Sequence, residues 1–319
     1  MLGGMGSTDT YVGLDVGGTF LKGARIDATG RVLSRLHQPI RKSTSAEIME
    51  QLASAVETLE GKDGAAAGVG VGLPGIVEIG KGRVRNAPNV PVLDGLRVGE
   101  ELEARSGRAA FAENDANAAA LAESWLGAGR GADHVLYVTL GTGVGGGLVF
   151  DGRIWTGRNG YAGEIGHIQV DPKGAPCGCG SWGCLETIAG IPGWGRQAQS
   201  RLDGGRESSL RGKPLLDPEV IVEAARGEDE VALEVVDEAS RAVGVGVAAV
   251  LNLLNIDRVV IGGGVANAGF FLLERIAEES RRRTFAHVFA DVTFRLAELG
   301  GDAGVVGAAR VGMIGVGNG

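Results

Sequence analysis

The sequence predicts an α/β protein built from two versions of one unit. Three observations predict it. Short apolar runs that read as strands alternate with longer stretches of helical spacing. A layout of strand, Gly-Thr-rich hairpin and strand occurs at residues 12–26 and again at 135–150, which reads as an internal duplication and not a short-period solenoid. Hydrophobic residues make up 44% and charged residues 22% of the 319, a composition that supports buried cores.

The elements follow in order. Residues 11–15, 19–26 and 31–38 read as a β-meander, turned at Gly17-Gly18 and at Ala28-Thr29-Gly30. Residues 45–59 place Ile48, Leu52, Val56 and Leu59 on one helical face. A strand at 66–73 ends at Pro74-Gly75. Helical spacing at 98–105, a short strand at 109–111 and an Ala- and Leu-rich helix at 115–126 complete the first unit. The second opens with a strand at 135–140, a glycine turn at 141–147 and a strand at 148–150, which turns at Asp151-Gly152 and continues through 153–155. Helices are predicted at 218–226 and 230–254, a strand at 258–261, then the loop Gly262-Gly263-Gly264. A helix at 269–283, a strand at 292–296 and a closing helix at 303–313 end the chain, and 204–214 reads as a polar surface connection.

Composition excludes several function classes. The net charge of -8 opposes a phosphate backbone as the main partner, because nucleic-acid binding needs a basic face. The first residues lack a basic region followed by an apolar run, and the longest apolar stretch, 242–254, is too short to span a bilayer. The expectation is a cytoplasmic protein with no membrane partner. Glycine is in surplus, 57 residues or about 18% against a usual share of about 7%. Many of these glycines, Gly13, Gly68 and Gly70 among them, fall in or beside the candidate site loops. Gly244 and Gly246, inside a helical pattern, are assigned to close helix packing.

The glycine loops pose a phosphate question. Gly141-Thr142-Gly143-Val144-Gly145-Gly146 formally contains G-x-G-x-x-G, but a strand follows it where a dinucleotide fold needs a helix. No Walker-A motif occurs. What remains is a pair of hairpins, Asp15-Val16-Gly17-Gly18-Thr19 and Gly141-Thr142-Gly143, with Gly262–Gly264 after a third buried strand. Backbone amides can approach phosphate oxygens where no Cβ intervenes, Thr19 and Thr142 can add hydroxyl donors, and Asp15 can order Mg²⁺. Two tight β-turns with no ligand are the plain alternative, and the pairing of the hairpins favours nucleotide binding.

Glu113-Asn114-Asp115-Ala116-Asn117 opens a helix, where a carboxylate faces the positive end of the dipole and stays ionised. Asp115 is the candidate general base on a substrate hydroxyl, and Asn114 the candidate partner of a neighbouring hydroxyl; the plain alternative is helix capping. Gly163-Glu164-Ile165-Gly166-His167 and Cys184-Leu185-Glu186 put two carboxylates beside the cysteines, which suits the vicinal hydroxyls of a neutral polyol.

The chain has three cysteines, all between 177 and 184, so no disulfide framework is available. His167, Cys177, Cys179 and Cys184 make a Cys₃His set that favours tetrahedral Zn²⁺. Four protein ligands leave no open position, so the zinc would be structural.

These motifs, together with Ile261-Gly262-Gly263-Gly264 and Gly301-Asp302-Ala303-Gly304, resemble those of the ROK-family sugar kinases, in order and over nearly the whole chain. The resemblance implies the actin-like (sugar kinase/Hsp70) ATPase fold: two ribonuclease-H-like α/β domains with an interdomain cleft. On that pattern residues 1–125 form the N-terminal domain, joined by a C-terminal helix at about 303–319, and 126–302 form the C-terminal domain with the zinc loop. The resemblance implies ATP near Gly17, Gly18, Thr19, Thr142, Gly143, Gly263 and Gly264, with Lys22 near phosphate. It implies Asp115 as the base, and Asn114, Glu164, His167 and Glu186 as sugar contacts, with Gly75 and Asn89 nearby. It further implies a homodimer or homotetramer.

The activity so expected is ATP-dependent phosphorylation of the 6-hydroxyl of a hexose, with glucose the leading sugar. Mannose, fructose, N-acetylglucosamine and N-acetylmannosamine are alternatives, as is polyphosphate as donor. A non-catalytic, DNA-binding sugar sensor is the rival class. It would carry a winged-helix domain ahead of the kinase-like body, and only 14 residues precede Asp15 here.

Overall fold

The computed structural model describes residues 9–62, 64–78, 82–87 and 89–317. Residues 1–8, on which the reading of a leaderless N-terminus rests, and 318–319, the end of the span given to the closing helix, lie outside the described residues.

In chain order the strands and helices are β1 (Thr10–Val16), β2 (Phe20–Asp27), β3 (Val32–Pro39), α1 (Ser45–Glu60), β4 (Gly68–Leu73), β5 (Ile76–Glu78), β6 (Arg83–Arg85), α2 (Val98–Ser106), β7 (Ala110–Asn114) and α3 (Asp115–Leu126). There follow β8 (His134–Leu140), β9 (Val144–Phe150), β10 (Arg153–Ile154), α4 (Leu185–Ala189), α5 (Ile191–Asp203), α6 (Pro218–Arg226) and α7 (Glu230–Leu254). The last are β11 (Arg258–Gly262), α8 (Phe270–Arg281), α9 (Ala286–Phe289), β12 (Thr293–Leu296) and α10 (Ala303–Gly317).

The predicted α/β class and its duplication are seen in the sheets. One five-stranded sheet has the order β3-β2-β1-β4-β7 and the other β10-β9-β8-β11-β12, the same pattern twice. Two departures from the sequence reading have local causes. The run 141–147 is not all turn: β9 begins at Val144, so its glycines are strand residues. Gly147 has to be small, because a Cβ there would stand 2.6 Å from Ala120 Cβ. Helix α5 escapes prediction because Pro192, Gly193 and Gly195 lie in it. Proline in the first turn loses no hydrogen bond, however, and Gly193 sits on the carbonyls of Thr187 and Ile188.

The chain divides into two compact units. The first is built from residues up to Arg130, Gly147–Gly163, and Leu299 onward. Its β1, β2 and β3 are antiparallel, while β4 runs parallel to β1 and β7 parallel to β4. Residues Val12, Leu14, Val69 and Val71 meet Ile48, Leu52, Val56 and Leu59 of α1 in one core. Gly13 of β1 and Gly68 and Gly70 of β4 alternate with these residues, and α10 lies against them almost backbone to backbone. A Cβ on Gly13 would stand 2.0 Å from Val305 O, and one on Gly70 only 1.7 Å from Ala308 O. Gly307 of α10 likewise meets Ala118 O of α3 at 1.8 Å. Gly13, Gly68 and Gly70 therefore serve helix seating, a correction to their placement among site glycines. Buried Glu123 ties α3 to the approach of α10: it accepts from Ala128 N–H and Leu299 N–H, both at 2.8 Å.

The second unit comprises Gly131–Gly146 and Glu164–Glu298. Here β8, β11 and β12 run parallel. Helix α7 is capped by Asp229, whose side chain accepts from Ala232 N–H, and stops at Asn255 in the left-handed region. Gly244 faces Glu279 and Ser280 of α8, and Gly246 faces Leu185, so both helix-interior glycines do lie at helix contacts. Among the described residues no helix is long and apolar enough to cross a membrane.

Seating of α10 makes a direct prediction. In Gly70→Ala the new methyl meets backbone, which cannot step aside, so urea unfolding should show a loss of about 3 kcal/mol or no folded protein. Gly301→Ala, where a Cβ meets open space, should change stability by less than about 0.5 kcal/mol.

Candidate active site

In the first unit the candidate residues gather at the ends of β1 and β7. Asp15 pairs across the hairpin with Lys22 and turns its carboxylate to the first turn of α10, where a Cβ on Gly304 would stand 2.5 Å from Asp15 Oδ2. Burial holds the Asp15 carboxyl above the usual range, and the Lys22 charge opposes this in part. The hairpin closes by Gly17 N–H donating to Phe20 O at 2.9 Å. Thr19 and Lys22 are exposed. Neither Gly17 nor Gly18 has a positive φ, so what glycine provides there is access to the backbone and not an unusual conformation. Asn89 is exposed and lies beside Gly18. Lys42, which sequence reasoning missed, donates to Gly18 O and, at 3.4 Å, to Asn89 O. It stands in a polar run with no signal apart from its charge.

The turn Asn114-Asp115 joins β7 to α3. Asn114 is the N-cap: its Oδ1 accepts from Asn117 N–H at 3.0 Å while its Nδ2 donates to Gly75 O at 2.8 Å. The capping alternative thus applies to Asn114, whose amide also anchors the Gly75 turn. Gly75 itself has φ 91°, and a Cβ there would press on the carbonyls of Arg85 and Asn86. Asp115, the first helical residue, accepts from Ala116 N–H at 2.8 Å, in the field of the helix N-terminus. Glu113 precedes these two residues at the end of β7. Its Oε1 accepts from Asn114 N–H at 2.8 Å and Asn117 Nδ2 at 3.0 Å, and burial raises its pKa. It fixes the backbone that presents Asp115.

In the second unit the Gly141-Thr142-Gly143 turn leaves Thr142 exposed, with Gly141 N–H donating to Gly143 O at 2.9 Å. Gly263 adopts φ 84° directly over β8, where a Cβ would stand 2.3 Å from Leu140 O, so glycine is required. Gly264 lines a cavity of about 840 Å³ with Lys213, Glu223, Arg226, Asn267 and Ala268.

His167, Cys177, Cys179 and Cys184 point together, with all four ligand atoms within 4.8 Å of one another. Cys179 Sγ lies 3.7 Å from Cys184 Sγ, and Cys177 Sγ lies 3.6 Å from His167 Nδ1. Tetrahedral ligands at about 2.3 Å from a metal are about 3.8 Å apart, so the cluster could hold zinc, with Nδ1 as the imidazole donor. The other ring nitrogen, Nε2, faces Glu164 Oε2 at 3.9 Å. Desolvation raises the Glu164 carboxyl; His167 opposes the rise and the nearby Glu186 charge adds to it. Burial pushes the Cys184 thiol up to about 12 and raises Cys177, so a metal must displace their protons. Glu186 accepts from Val144 N–H at 3.1 Å.

Two outcomes follow. Emission spectroscopy of chain purified without chelator should find about one zinc per chain, and acid should release it, because protons compete for the same thiolates. Asp15→Asn should raise the melting temperature at pH 7–8. A raised carboxyl contributes stability in full below the unfolded value, about 3.9, and loses it as pH rises through the folded value. The Asn variant should therefore gain least below pH 4.

Comparison with known proteins agrees with these motifs. The ROK family model matches residues 11–312. The chain is 40% identical to the glucokinase of Halalkalibacterium halodurans over 307 residues, covering 93% of each. The ROK hexokinase structure from Thermus thermophilus superposes with a TM-score of 0.86 at 36% identity, covering 97% of this chain and 100% of that one. A ROK-family glucokinase from Streptomyces griseus, in complex with glucose and AMPPNP, superposes with a TM-score of 0.80 at 34% identity over 96% of this chain and 99% of that one. The chain has the fold of these hexokinases and belongs to the ROK family.

Proposed function

We propose that this protein is an ATP-dependent glucokinase, transferring the γ-phosphate of ATP to the 6-hydroxyl of glucose. The observation that carries the reading is the 40% identity to a glucokinase over 93% of both chains. The local geometry supports it. Asp115 lies at a helix N-terminus, whose dipole favours negative charge, and its backbone is fixed by the Asn114 cap and by Glu113.

In this account Asp115 takes the proton of the 6-hydroxyl as its oxygen attacks the γ-phosphorus, and the bond to the ADP oxygen breaks. Glu164, Glu186, His167 through Nε2, and Asn114 hold the remaining sugar hydroxyls, with Gly75 and Asn89 close by. Amides of Gly18 and Gly143 and the hydroxyls of Thr19 and Thr142 meet phosphate oxygens, with Gly17 keeping the hairpin open to their approach and Lys22 near them. Gly263 and Gly264 border the nucleoside, for which the 840 Å³ cavity offers room. Asp15, a desolvated carboxylate at a strand end, suits Mg²⁺, which would supply charge stabilisation to the phosphates. Zinc on His167, Cys177, Cys179 and Cys184 would be structural, holding the loop that carries Glu186. Assembly as a homodimer or homotetramer in the cytoplasm belongs to the same proposal.

The test is an assay of sugar-phosphate formation across glucose, mannose, fructose, N-acetylglucosamine and N-acetylmannosamine, with ATP or polyphosphate as donor. Glucose with ATP should give the highest kcat/KM. Asp115→Ala should keep fold and metal content and lose at least about 10²-fold in kcat. Near-normal turnover in that variant, or a clear preference for another sugar, would refute the assignment.

A further inference from the structure

Val144, the first residue of β9, is held by each of the loops assigned above to sugar and metal. Its N–H donates to Glu186 Oε2 at 3.1 Å. Its carbonyl faces the Glu164–His167 segment so closely that a Cβ on Gly166 would stand 1.9 Å from it. The preceding residue, Gly143, has the Glu186 carboxylate where its own side chain would be: a Cβ there would stand 2.2 Å from Oε2. The other end of α4 closes on the same turn. Ile191 N–H donates to Gly141 O at 2.9 Å, and a Cβ on Gly190 would lie 2.9 Å from Thr142 O. The second oxygen of Glu186, Oε1, is 4.0 Å from Cys177 Sγ. A helix of five residues thus grips both limbs of the phosphate turn, and the loop of the metal cluster leads straight into it at Cys184.

We propose that Glu186 is the positioning residue of the Gly141-Thr142-Gly143 turn, so that occupancy of the sugar residues sets the affinity of the turn for nucleotide phosphates, and the reverse. The inference rests on the kinase reading and adds a coupling to it. One carboxylate oxygen is committed to Val144 N–H, and the other, whose partner is the long 4.0 Å contact with Cys177 Sγ, is the one assigned to a sugar hydroxyl. A hydroxyl bound at Oε1 fixes the rotation of the carboxylate, and with it the bond from Val144. The ordering of the turn is then already in place when the nucleotide arrives. Such coupling must be reciprocal.

Calorimetry on the metal-loaded protein tests this, with glucose and AMPPNP each titrated alone and in the presence of the other. In the wild type each ligand should tighten the other by roughly fivefold or more. Glu186→Ala should bind AMPPNP alone roughly fivefold more weakly and abolish the coupling. Glu186→Gln, which keeps an oxygen for Val144 N–H, should restore AMPPNP binding while glucose stays weakened. Gly143→Ala displaces the carboxylate, so it should weaken glucose roughly tenfold with no nucleotide present, an effect that a purely phosphate-binding turn would not have. Glu186→Ala binding AMPPNP with wild-type affinity and coupling, or Gly143→Ala binding glucose as the wild type does, would overturn the proposal. Hydrogen exchange at the Val144 amide gives a readout independent of either ligand: slow in the wild type and in Glu186→Gln, fast in Glu186→Ala. A wild type that binds neither ligand overturns the kinase reading, whereas an unprotected Val144 in the wild type overturns the positioning role.

Discussion

Backbone laid directly on backbone is the constraint from which the placement of the first unit's candidate residues follows. Helix α10 approaches β1, β4 and α3 at distances that only glycine permits, at Gly13, Gly70 and Gly307. The same helix presents Gly304 to the Asp15 carboxylate, and through Gly307 it touches the helix that begins at Asp115. Seating α10 therefore fixes two carboxylates that lie one hundred positions apart in sequence. The energetic risk is high, since a single methyl cannot be absorbed by moving a side chain.

The second unit applies the same rule to a smaller target. Gly143, Gly166 and Gly190 remove the side chains that would hold three loops away from one another, and the loops converge on the β8–β9 turn. Their approach aligns His167, with Nδ1 toward the cysteines and Nε2 toward Glu164, and sets Glu186 under the turn. The residues proposed as metal ligands, sugar contacts and phosphate turn are in this sense one construction, which explains why residues of such different chemistry are interleaved over so short a stretch of sequence.

Much of this was legible in the sequence because the signals are local. The meander at β1–β3, the amphipathic α1, the Cys₃His spacing and the helix opening at Asp115 each depend on neighbours within a few residues. The glycine surplus was legible as a count but not as a distribution of roles, because whether Gly70 meets a ligand or a helix more than two hundred residues away is a tertiary fact. Helix α5 was hidden by Pro192 and two glycines that packing tolerates. Lys42 carried no signal, since a lysine in a polar run is ordinarily a solvated charge and only the fold brings it to Gly18 and Asn89. That Asn114 is the helix cap and Asp115 the first helical residue was likewise not readable from the motif.

The central claim is that these groups carry out phosphoryl transfer to a sugar hydroxyl. Phosphorus and carbon NMR of a reaction containing the purified chain, ATP, Mg²⁺ and glucose tests it most directly. The account predicts ADP and a sugar monoester in equal amounts, with phosphate on carbon 6. ATP hydrolysed without ester formation, or an ester at any other carbon, would contradict it.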